Sequence, residues 1–182
     1  MSSCFKKLTL ALLCTAPFSA MAMQSGIAAS YGANAFDIDH PKGVQGFNIA
    51  YTMQPDSWTF KQWEFLMNFS VGHWITNDYT TDSSINSYAI APVARWLFMQ
   101  SANMTPFLQA SIGGAYMSSQ QFGGRNLGSR LLFQDQIGAG LVFGAKRNLY
   151  ATLQFLHYSN AHLAKPNDGI TVPIFFTVGY QF

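Results

Sequence analysis

Two residues of this 182-residue chain, His157 and Ser159, have types and a spacing that invite chemistry. In an extended segment, residues i and i+2 share a face, so this spacing sets an imidazole beside a hydroxyl. A histidine so placed can accept the hydroxyl proton and make the serine a nucleophile. Both continue the series Leu149, Ala151, Leu153, Phe155, so the pair stands on an apolar face. Polar groups there are costly unless they are paired or lie at an interface. The plainer alternative is that the strand leaves its apolar surroundings at this point and both side chains are solvated. No other constellation competes. His40, His73, His157 and His162 are scattered without metal-ligand spacing, so no metal is expected. There is no glycine-rich phosphate loop and no Gly-x-Ser-x-Gly elbow.

The elements that would position this pair follow from composition and periodicity. Charged residues make up 10% of the chain and aromatics 15%, against about 25% charged in an ordinary soluble domain. Ten basic and eight acidic side chains without a basic cluster argue against a nucleic-acid partner. Lys6 and Lys7, the apolar run from Leu8 to about Phe18, and Ala20-Met21-Ala22 read as a secretory signal peptide over residues 1–22. The remaining 23–182 then carries equal numbers of acidic and basic side chains. Cys4 and Cys14, the only cysteines, lie in that leader, which excludes disulfides and thiolate chemistry from the rest.

No stretch beyond the leader approaches the ~18–20 apolar residues of a spanning helix. Alternation is the dominant pattern instead. Phe47, Ile49, Tyr51 and Met53 begin a series of two-residue periods. It continues through Trp63–Val71, Tyr88–Phe98, Leu108–Tyr116, Ile137–Phe143, Leu149–Phe155 and Ile174–Phe182. A weaker segment over about Ser25–Phe36 makes eight. The faces between carry Gln, Asn, Ser, Thr and Gly rather than the Lys and Glu of a wetted surface. Long polar connections such as Asn77–Ser84 and Ser118–Ser129 contrast with the short Ala145–Asn148. The fold class expected is all-β, an eight-stranded antiparallel transmembrane β-barrel spanning 23–182 in a bacterial outer membrane. Its polar face points inward, with Glu64 and Arg95 as an internal ion pair. Eight strands leave an interior that side chains fill, so function belongs on the loops or the outer wall, and His157 and Ser159 point outward.

The run His157-Tyr158-Ser159-Asn160-Ala161-His162 through Pro166-Asn167-Asp168-Gly169 resembles the signature of the lipid A 3-O-deacylase (PagL) family. Asn126–Ser129, Asp135–Leu141, Tyr88–Phe98 and Pro106–Ala115 extend the likeness over most of the chain. The resemblance implies an outer-membrane esterase that removes the 3-O acyl chain of lipid A without a cofactor. Its partner is lipopolysaccharide in the surrounding bilayer, and a homodimer is left open. Ser159 takes the place of the nucleophile and His157 that of the general base, while Asn160 and Asn167 fall on positions associated with the oxyanion. The family's third triad member, a glutamate, falls at Thr171. Asp168, water or the Thr171 hydroxyl would have to orient His157 in its place. This departure sustains the rival reading of a non-catalytic barrel or impaired pseudo-enzyme. Strict alternation counted back from Phe182 turns Thr171 inward. The motif spacing needs it outward, which requires a bulge near Pro173.

Overall fold

The structure, a computed structural model, describes residues 23–34, 36, 41–78, 82–99, 101 and 103–182. The leader expected over 1–22 and His40 lie outside the described residues. Eight long strands follow one another: β1 (Met23–Ala33), β2 (Gln45–Pro55), β3 (Trp63–Ile75), β4 (Ser84–Leu97), β5 (Met104–Met117), β6 (Leu131–Phe143), β7 (Leu149–Ser159) and β8 (Ile170–Gln181). Each pairs antiparallel with the next. β8 returns to β1 in register from Gly26↔Gln181 to Ala33↔Ile174, closing the sheet. Closure leaves no open edge, which is the condition for β-structure in a bilayer.

All eight expected segments are strands, and the weakest, β1, ends at Ala33 rather than near Phe36. The outward series is exposed as the alternation requires, with Ile49, Val71, Ile112, Ile137 and Leu153 among the exposed apolar side chains. The long connections after β1, β3, β5 and β7 share one end of the barrel; the short turns and both strand termini share the other.

The interior divides into two halves. Toward the short turns a polar layer is packed against a small apolar cluster that includes Leu97, Phe107 and Val142. Arg95 lies 3.5 Å from Glu64, its guanidinium stacked 4.3 Å from the Phe107 ring centroid and 5.0 Å from that of Tyr150. Gln109 joins Arg95 to Gln154 through bonds of 3.4 and 2.8 Å. The expectation of a polar inward face fails in the half beneath the long loops. There Trp74, Ile85, Leu156, Tyr158, Val172 and Phe175 form a buried apolar plug. The void among the polar interior residues is about 30 Å³, room for about one water. The barrel is therefore a filled scaffold, and its working surfaces are outside.

Candidate active site

The site is built where β7 ends. Tyr158 is the pivot. It points inward, fully buried, with its ring edge-on to Trp74 at 6.1 Å. A one-residue slip would expel this aromatic from the plug, so its burial fixes the flanking His157 and Ser159 on the outer face. Both are half-buried there.

Opposite them, the β7–β8 ladder changes register. Gln154 faces Phe175, but Leu156 faces Val172 and His157 faces Thr171. One extra residue of β8 is accommodated at Pro173–Ile174. Proline, which has no N–H to give, suits such an interruption. The bulge reverses the parity of everything before it. Val172 turns into the plug beside Leu156, and Thr171 turns outward beside His157. His157 Nδ1 and Thr171 Oγ1 are 3.0 Å apart. With Nδ1–H donating to that hydroxyl, Nε2 keeps its lone pair and is the basic nitrogen.

The connection between β7 and β8 closes over the pair. A Cβ on Gly169 would lie 2.7 Å from His157 Cε1 and 2.8 Å from the Tyr158 carbonyl. Only glycine lets the backbone pass flush against the imidazole. Gly128, at φ +69°, lies against the Pro166 carbonyl in the same way.

Asn160 and Asp168 are spent on holding this loop. Asn160 donates its N–H to Asn167 Oδ1 at 2.8 Å. Its amide nitrogen donates to the carbonyls of Leu127 at 2.8 Å and Pro166 at 3.1 Å. Both targets are carbonyls, so the atom facing them must be the amide nitrogen. The donors of Asn160 thus face the loop rather than a developing oxyanion. Asn167 Nδ2 contacts His162 Nδ1 at 3.3 Å and keeps a second N–H. Asp168 is not brought to the imidazole, because its Oδ2 accepts the Asn126 N–H at 3.0 Å.

Two outward features escaped the sequence reading. An apolar groove of about 530 Å³ runs down the wall from Asn160 and Leu163, over Gly114, between Ile90 and Phe133. Nothing lies within 4 Å of a Cβ built on Gly114, so the groove floor is open there. The second is Asp135, which faces His157 directly across the β6–β7 ladder. Counting outward from Lys146, the centre of the turn between these strands, would have found it.

The family profile described as Lipid A 3-O-deacylase (PagL) matches residues 45–181, from the start of β2 to the end of β8. The chain belongs to this family. Among its relatives, the lipid A deacylase PagL of Pseudomonas aeruginosa is 32% identical over 162 residues, covering 85% of this chain and 91% of that one. The lipid A deacylase PagL of Bordetella bronchiseptica is 26% identical over 184 residues, covering 98% of this chain and 94% of that one. The crystal structure of the outer membrane enzyme PagL superposes with a TM-score of 0.67 at 28% identity, covering 86% of this chain and 98% of its own. Neisserial surface protein A shares the barrel alone, with a TM-score of 0.54 at 13% identity over 88% of this chain and 96% of that one.

Proposed function

We propose that this outer-membrane barrel is a PagL-type esterase in which Ser159 cleaves the 3-O ester of lipid A with His157 as general base. Ser159 Oγ attacks the ester carbonyl while His157 Nε2 takes its proton. The bond between the acyl carbon and the sugar's 3-oxygen breaks, and the imidazolium returns that proton to the departing oxygen, leaving the 3-hydroxyl. Water, deprotonated by the same nitrogen, then releases the fatty acid from Ser159. No metal or cofactor enters these steps. The second N–H of Asn167 is the donor assigned to the oxyanion, a contribution of up to about 3–4 kcal/mol where such a donor meets an oxyanion. The apolar groove beside Asn160 and Leu163 suits the acyl chain.

One observation carries the reading: His157 and Ser159 share the outer face at the end of β7, with His157 Nδ1 3.0 Å from Thr171 Oγ1. Residues 23–182 are taken as the working barrel and 1–22 as its export signal. The test is mass spectrometry of lipid A from cells expressing wild type, Ser159→Ala and His157→Asn. Wild type should remove one ester-linked acyl chain and neither variant should, with heat-modifiable barrel present in all three. Thr171 in the acid's place favours a second reading, a barrel that binds lipid A without hydrolysing it. Unchanged lipid A in the wild-type strain would select that reading, and retained activity in Ser159→Ala would refute the nucleophile.

A further inference from the structure

We propose that Asp135 supplies, from β6, the negative charge that the Ser159–His157 centre lacks at Thr171, as a positioning residue acting through the imidazole. This rests on the esterase reading above. The first observation is register. Asp135 and His157 are direct partners across the ladder, which sets their Cβ atoms about 5 Å apart on one face.

The second observation is the setting of this carboxylate. Two acids lie within the eight strands. Glu64 points inward and is paired with Arg95. Asp135 points outward, its Oδ1 buried without a hydrogen-bond partner among the described residues. On a wall otherwise built for lipid, a carboxylate costs stability, and among the described residues no cation pairs with it.

The third is chemical need. His157 is neutral in the resting base form and becomes an imidazolium as Ser159 attacks. A fixed negative charge nearby stabilises that state more than the resting one, which is what raises kcat. The Thr171 hydroxyl can hold the tautomer but carries no charge. The ionisable groups of the β7–β8 loop are His162, Lys165 and Asp168, and Asp168 is committed to Asn126. The two tasks of a triad acid, orientation and charge, are thus divided between Thr171 on β8 and Asp135 on β6.

A unit-charge pair about 6 Å apart at a half-wetted surface, with an effective dielectric near about 40, corresponds to roughly a tenfold change in rate. The experiment uses purified, folded barrel in lipid A–detergent micelles. It measures kcat and KM for acyl release, and in parallel the rate at which a fluorophosphonate labels Ser159. Asp135→Asn should lower kcat and labelling about tenfold with KM unchanged. Asp135→Glu should recover most of the loss, and adding Thr171→Glu to Asp135→Asn should recover it from the opposite side.

Asp135→Leu should insert at least as well as wild type yet be as slow as Asp135→Asn, an outcome that a structural role would reverse. Wild-type kcat in folded Asp135→Asn or Asp135→Leu would overturn the proposal. So would failure of Thr171→Glu to rescue. If wild type is labelled at Ser159 but leaves lipid A intact, the substrate assignment fails while the labelling rates still decide the role of Asp135. If Ser159 is not labelled at all, both readings fall.

Discussion

Replacing Thr171 by valine removes one hydroxyl and almost nothing else. The side chain is buried on the outer face, and valine keeps its branched shape. The hydroxyl's partner is His157 Nδ1 at 3.0 Å. A neutral hydrogen bond of this kind contributes about 1 kcal/mol net, and a donor stranded in half-buried surroundings costs about 1–3 kcal/mol. Without that partner the Thr171 side no longer selects a tautomer of His157, while the Gly169 backbone still lies against the ring's edge. Together these give a fall in kcat of about 10- to 100-fold. That is smaller than the roughly 10⁴-fold loss when a triad loses its acid, because no charge leaves the site. Thr171→Ser should stay within about threefold of wild type. Thr171→Glu, which adds a second charge where the hydroxyl stood, should gain only about threefold while Asp135 is present. The assay is time-resolved mass spectrometry of 3-O-acyl release in micelles at saturating lipid A, with folding checked by heat-modifiability. A folded Thr171→Val enzyme running at the wild-type rate would mean that the contact orients nothing and that His157 is positioned by other means.

Asp168→Asn should leave the rate within about threefold, because its oxygen still accepts the Asn126 N–H that Asp168 Oδ2 holds at 3.0 Å; a loss of 100-fold in a folded variant would show direct action on His157. Glu64→Ala strands the buried Arg95 guanidinium and should cost about 3–5 kcal/mol of stability, as breaking buried pairs generally does. Urea unfolding in detergent measures it, and an unchanged midpoint would mean that Phe107, Tyr150 and Gln109 satisfy the arginine alone.

The outward placement of His157 and Ser159 was legible because parity is cumulative: Leu149 to Phe155 set the phase, and no irregularity intervenes before Ser159. Thr171 was not legible by the same count, since the Pro173–Ile174 bulge lies between it and the well-phased terminus at Phe182. A proline marks where such an interruption is tolerated but does not say which strand carries the extra residue. The Glu64–Arg95 pair could be read because both residues break a neutral inward face on adjacent strands. The apolar plug could not be, because Trp74, Leu156 and Val172 look like further alternation until the loops above them are in place. The loop-holding role of Asn160 was hidden for a related reason. Its position in the motif is visible in the sequence, but the carbonyls of Leu127 and Pro166 that consume its donors come from other segments.

The split between Thr171 and Asp135 has a consequence of its own. A glutamate at 171 in the presence of Asp135 would set two carboxylates around one imidazole on an apolar wall. Their mutual repulsion raises the cost of keeping both ionised, which offsets part of what the second charge adds to the rate. Thr171→Glu should therefore help the wild-type barrel less than it helps Asp135→Asn, where it supplies the only charge beside His157. The two substitutions are predicted to be non-additive in ln kcat by about a factor of three or more, the behaviour of residues acting on a common partner. Strict additivity would mean that Asp135 and position 171 influence the reaction separately, and that the imidazole is not where their effects meet.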